Sequence, residues 1–159
     1  MITLEQQKIE LGEKKALDVK QFIVTKIGKE QYGINIQYVN NIVRMQKITR
    51  VPKAQYYYKG VINLRGEIIP IMSLRLKFEL EEIEYTKDTR IIIVKTDKQN
   101  SVGIIVDAVS EVVTLDEEHM EKPTVDGSES RMQYIAMLGK HEGTLISIIN
   151  IGSIISEID

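Results

Sequence analysis

The sequence predicts an all-β fold of two small five-stranded barrels packed side by side, with short helices, and three observations carry that prediction. Isoleucine occurs 26 times and valine 13 times in 159 residues, against 10 leucines and 4 alanines. Side chains branched at Cβ are stiff at χ1, which suits a pleated surface and costs entropy in a helix. Apolar and polar residues alternate with a period of two, as in Tyr32, Ile34 and Ile36 against Gln31, Gly33 and Asn35. Finally, the chain reads as one β unit written twice. At an offset of 70, Phe22-Ile23-Val24 falls on Ile92-Ile93-Val94, Gly33 on Gly103 and Val39 to Val43 on Val109 to Val113. At an offset of 77, Gly66 falls on Gly143 and Ile68 to Met72 on Leu145 to Ile149. About five short strands per unit are marginal alone and stable when two units share an interface.

In chain order, residues 1–20 read as a polar tail, with at most a short helix through Leu4, Ile9 and Leu11. Phe22 to Ile27 pairs with the strand through Tyr32, the turn being Gly28, Lys29 and Glu30. Val39 to Met45 is a third strand, followed by a looser segment through Pro52 and Tyr56, Tyr57 and Tyr58. Gly60 opens the clearest hairpin, with Val61 to Arg65, a turn at Gly66 and Glu67, and Ile68 to Ser73; Leu74 to Phe78 reads as a short helix. This divides the chain into a first barrel at residues 21–86, a second at 87–149 and a C-terminal segment, 150–159, that packs back on the first.

Composition removes several functions. With 21 basic and 23 acidic residues the formal charge is −2, which leaves no basic footprint for nucleic acid. The absence of cysteine excludes a disulfide framework, a thiol nucleophile and sulfur-ligated metals, and agrees with a cytoplasmic location. No stretch approaches the roughly 18 continuous apolar residues of a membrane span, and the charged N-terminal segment lacks the apolar core of a signal peptide. Phosphate-binding and dinucleotide glycine patterns are missing, so no cofactor is expected. The near-neutral bases are His119, among Asp116, Glu117, Glu118 and Glu121, and His141, at a hairpin tip; both read as solvated loop residues rather than ligands or catalysts. Tyr56, Tyr57 and Tyr58 read as a packed loop with one or two exposed rings.

Two features point instead to protein binding. Ile91 to Val94 and Val102 to Val106, in the second barrel, are apolar on both strand faces, so whatever the first barrel leaves uncovered is a surface for another protein. Arg65 ends a strand whose Val61 and Asn63 share its face, and an arginine beside an apolar patch reads either as an interface anchor or as an ordinary surface charge.

The stretch Gly60-Val61-Ile62-Asn63-Leu64-Arg65-Gly66-Glu67-Ile68-Ile69-Pro70-Ile71 resembles the CheW family of bacterial chemotaxis coupling proteins. So do Val102 to Val112, with its Gly103 and Asp107, and the closing segment Gly143 to Ile155; the resemblance spans about residues 20–158. It implies two SH3-like barrels and a non-catalytic adaptor joining the cytoplasmic tip of chemoreceptors to the regulatory domain of the histidine kinase CheA, in the cytoplasm at membrane-attached receptor arrays, without direct membrane insertion. The resemblance places receptor contacts at Val39, Gly60 and Arg65, and we assign Val102 and Ile105 to the kinase surface. Two departures stand out: Asn41 occupies a position commonly acidic in the family, so a salt bridge from there to Arg65 does not carry over from the resemblance, and Ser73 stands where Asp is frequent. The length leaves no room for the kinase or receiver domains of larger relatives. The alternative is a small β-barrel enzyme or ligand-binding protein using His119 or His141 with carboxylates.

Overall fold

The computed structural model describes residues 19–95, 100–124 and 130–155; the polar tail predicted at the N-terminus lies almost wholly outside them. The strands are β1 (Val19–Ile27), β2 (Glu30–Asn35), β3 (Val39–Arg44), β4 (Tyr58–Leu64), β5 (Glu67–Ser73), β6 (Arg90–Lys95), β7 (Ser101–Val106), β8 (Ala108–Asp116), β9 (Met120–Glu121), β10 (Ile135–His141) and β11 (Thr144–Ile149). Two short helices, α1 (Leu74–Lys77) and α2 (Ile151–Ile155), follow β5 and β11.

The fold class is as the sequence predicts, but the strands do not sort into a first and a second half. One sheet has the order β8-β1-β2-β11-β10-β9 and the other β3-β6-β7-β5-β4. The division at residues 86 and 87 is therefore corrected: residues 39–106 build one barrel, inserted between the hairpin β1–β2 and the strands β8 to β11 of the other. We call these the inserted and the split barrel. Each closes through the strand that follows its first edge. Thr49, beyond the end of β3, exchanges two 2.8 Å hydrogen bonds with Val61 of β4, and β9, beyond the end of β8, pairs with β10.

Both offsets nevertheless hold in three dimensions. Gly33 lies opposite Ile148 in the parallel pair β2–β11, and Gly103 lies opposite Ile71 in the parallel pair β5–β7, the same register in each barrel. The repeated glycine has a packing reason. A Cβ would come within 2.7 Å of Ile148 Cδ1 at Gly33 and 2.5 Å of Ile71 Cδ1 at Gly103. What the duplication does not reveal is the exchange: the third strand of each repeat pairs with the first strand of the other, β3 with β6 and β8 with β1.

The core has three layers. Phe22, Val24, Val113, Leu115, Ile146 and Ile148 fill the split barrel. Ile62, Ile69, Ile71, Ile91, Ile93 and Ile105 fill the inserted one. Between the barrels lies a larger layer, to which β6 gives Ile92 and Val94, β7 gives Val102, Ile104 and Val106, and α2 gives Ile151, Ile154 and Ile155. The strands that read as apolar on both faces are thus covered on both, alternate residues facing a barrel interior and the inter-barrel layer. Helix α2 packs into that shared layer, with Tyr32 and Ile34 of the split barrel and Met72 and Leu74 of the inserted one.

A polar latch spans the junction. Arg75 of α1 donates from Nε to Asp107 Oδ1 at 2.9 Å, and the Gly28 amide donates to Asp107 Oδ2 at 2.7 Å. Asp107, on the link from β7 to β8, also donates its own amide to the Lys26 carbonyl. Burial pushes the Asp107 carboxyl up, but the hydrogen bonds from Arg75 and Gly28 and the Arg75 charge outweigh this and hold it below the usual carboxylate range. A depressed carboxylate contributes stability that is complete above its unfolded pKa and is lost as pH falls through the folded one. Asp107→Asn is therefore expected to cost about 2 kcal/mol at neutral pH, by loss of charged hydrogen bonds. The gap between the two proteins should narrow as pH drops below about 4, the ordinary Asp range, in chemical unfolding run at several pH values.

Candidate functional site

The hairpin β4–β5 turns on two residues, Arg65 and Gly66, since Leu64 pairs with Glu67. Both have positive φ, 54° and 86°, as the tight hairpin turn that matches strand twist requires. The turn thus lies one residue earlier than the sequence suggests. Asn63 Oδ1 accepts the Gly66 amide at 2.9 Å, and Leu64 packs against the interior of the inserted barrel. The motif Asn63-Leu64-Arg65-Gly66 accordingly reads as a side-chain brace, an apolar anchor, a presented residue and a left-handed turn closer. Arg65 is exposed at the tip rather than lying along the strand face, and no carboxylate of the described residues pairs with it. The hairpin β10–β11 repeats this geometry at Glu142 and Gly143, with φ of 51° and 80°.

Val39 opens β3 opposite Val94 and packs, half-buried, on the inter-barrel layer. Ile42 pairs with Ile92, so it projects to the same side, where it is 37% exposed. The margin of the inter-barrel layer therefore carries an apolar strip, and Ile42 belongs to it although sequence reasoning did not single it out. The repeat shares the feature, since Ile42 and Ile68 align with Val112 and Leu145 and all four are exposed. Asn41 follows a bulge in β3, and its Oδ1 accepts the Ile42 amide at 3.0 Å.

Gly60 is buried, with φ 140°. A Cβ there would lie 2.1 Å from the Thr49 carbonyl oxygen, so glycine is demanded by barrel closure. Val102 and Ile105 require a correction. They are 2% and 6% exposed, Val102 in the inter-barrel layer and Ile105 inside the inserted barrel. Neither offers surface to a partner, because the exchange of strands covers both faces of β7.

His119 and His141 line one open depression at the end of the split barrel, together with Asp116, Glu118, Glu121 and Glu142. His119 Nδ1 stands 3.8 Å from Asp116 and His141 Nε2 3.9 Å from Glu142, long for hydrogen bonds. No group of three or more histidine or acidic residues is placed to hold a metal ion among the described residues. Tyr57 is buried and Tyr56 is 64% exposed, as expected for a packed aromatic loop. The buried Lys77 places its ammonium 3.9 Å from the Tyr57 ring centroid, a cation–π contact that ties α1 to that loop.

Two exchanged barrels with a shared apolar layer and a braced arginine turn define an interaction module of the two-barrel class. The family model for the CheW-like domain matches residues 21–159, and the chain belongs to that family. It is 34% identical over 138 residues to the chemotaxis protein CheW of Bacillus subtilis, covering 87% of this chain and 88% of that one. With the chemotaxis protein CheW of Klebsiella aerogenes it shares 33% identity over 137 residues, 86% of this chain and 82% of the relative. The crystal structure of a CheW scaffolding protein from Thermoanaerobacter tengcongensis superimposes with a TM-score of 0.79 at 33% identity, covering 88% and 89% of the two chains.

Proposed function

We propose that this chain is a non-catalytic adaptor of bacterial chemotaxis that couples the cytoplasmic tip of chemoreceptors to the regulatory domain of CheA. The observation that carries this reading is the Asn63–Gly66 turn: its brace and backbone are committed to presenting one exposed guanidinium. Family membership, and the scaffolding role in the name of the structural neighbour, support the reading. The receptor tip meets Arg65 and the apolar strip of Val39 and Ile42, burial supplying most of the affinity and the arginine its orientation. Gly60 contributes by holding the barrel closed beneath that surface. The kinase barrel packs on the split barrel, whose outer apolar residues are Val112 and Leu145, each 51% exposed. The protein then works in the cytoplasm at receptor arrays. No helix among the described residues is long and apolar enough to cross a membrane.

The test uses Arg65→Asn, because asparagine tolerates the left-handed region that Arg65 occupies while the guanidinium and most of its methylene stem are removed. Titration with a receptor-tip fragment should show affinity lowered about 30-fold, roughly 2 kcal/mol for a central anchor. Kinase regulatory-domain binding should be unchanged. Equal receptor affinities would reduce Arg65 to a surface charge, and loss of both partners would make its role structural.

A further inference from the structure

Residues 31–66 contain no aspartate or glutamate and carry six basic side chains, in a chain whose net charge is −2. Much of that charge gathers on one flank of the inserted barrel. A groove there is lined by Met45, Lys47, Ile48, Arg50, Tyr56 and Lys59, among others. A second depression, running from Arg50 through Lys53 to Gln55, shares Arg50, Tyr56 and Tyr58 with it, so the two form one channel. Among the described residues no carboxylate pairs with Lys47, Arg50 or Lys53. Tyr56, although largely exposed, is steadied edge-on against Tyr57 at 5.3 Å between centroids.

The fold does not require this charge. At the repeat offset, Gln46, Lys47 and Ile48 fall on Asp116, Glu117 and Glu118 of the split barrel, so the corresponding stretch of the other repeat carries acids. The chain also shows what chemistry suits the groove. Its own segment Glu79-Leu80-Glu81-Glu82-Ile83-Glu84 is exposed, alternates acids with aliphatic residues and reaches the groove's edge, where Glu82 pairs with Lys59 and Tyr85 joins the lining.

We propose that this channel docks an acidic, aliphatic-bearing segment of a partner protein, whose carboxylates meet Lys47, Arg50 and Lys53 while its apolar side chains lie on Met45, Ile48 and Tyr56. Arginine and lysine bind carboxylates through charge-assisted hydrogen bonds, and the pairing at an exposed rim weakens with salt. The segment at residues 79–84 meets the edge of the channel through the Glu82–Lys59 pair, so release of Lys59 adds a cation to the site. The channel is separate from the Arg65 turn and stands independently of the adaptor reading.

The probe is a fluorescein-labelled peptide with the sequence of residues 79–85, titrated by anisotropy into the full chain beside a counterpart with every Glu replaced by Gln. The acidic peptide should bind in a salt-sensitive manner and the Gln peptide at least about tenfold more weakly. Lys47→Glu with Arg50→Glu, at exposed positions and checked by thermal melting, should lower affinity about tenfold or more, whereas Glu82→Gln should strengthen it by freeing Lys59. Equal binding of the two peptides, or unchanged affinity in the folded double variant, would overturn the proposal. So would binding of phosphatidylglycerol vesicles or polyphosphate without the peptide, which would make the channel a phosphate site. Titrations with receptor and kinase fragments share no reagent with this assay, so the two readings fail separately.

Discussion

Val102→Asp and Ile105→Asp are each expected to abolish cooperative folding. The new carboxylate would sit at a position 2% or 6% exposed, among Ile92, Ile104 and Val106 in the first case and Ile69, Ile71 and Ile91 in the second. None of these side chains can pair with it. A buried carboxyl without a hydrogen-bond partner costs several kcal/mol even when it takes up a proton and becomes neutral, and the lost apolar burial adds about 2 kcal/mol. Together these approach the 5 to 15 kcal/mol by which a typical domain is stable. Circular dichroism should show no thermal transition, and limited proteolysis should cleave the variants rapidly. Val112→Asp, on an exposed outer face, should melt close to the parent. A Val102→Asp protein that melts normally and loses only kinase binding would restore Val102 to a surface.

Gly60→Ala is expected to lower stability by about 3 kcal/mol or more, because a left-handed backbone and a backbone collision combine. The added methyl would lie 2.1 Å from the Thr49 carbonyl oxygen and 2.7 Å from its carbon. Backbone atoms cannot swing aside as a flexible side chain does, so the pair of hydrogen bonds between Thr49 and Val61 must open. That pair is what closes the inserted barrel between its edge strands β3 and β4. For a protein of this size a loss of 3 kcal/mol corresponds to roughly 6 to 12 °C in Tm. Gly66→Ala makes the comparison clean. Gly66 also has positive φ, but nothing lies within 4 Å of its Cβ position, so only the conformational cost of about 1 kcal/mol remains. Equal melting temperatures for the two variants would remove the collision as the cause. Weakened receptor binding by Gly60→Ala should track its loss of closure, in contrast to the isothermal loss at Arg65.

Much of this protein was determined by its sequence alone, because the information is local. Isoleucine and valine at a period of two specify strands whatever they pair with. The aligned glycines at 33 and 103 mark the same close approach in each repeat, and Asn63 to Gly66 carries its turn chemistry within four residues. The family, and with it the arginine that the turn presents, was legible for the same reason. Pairing was not local. The repeat offsets are satisfied equally whether β3 joins the sheet of β1 and β2 or crosses to β6, since either arrangement uses the same strands in the same order. The tertiary structure decided for the crossing, with β3 on β6 and β8 on β1. That exchange places β6 and β7 between a barrel interior and the inter-barrel layer, so residues apolar on both faces are buried on both. Val102 and Ile105 therefore became core rather than surface, for the physical reason that an apolar strand face records that it is covered and not by which chain.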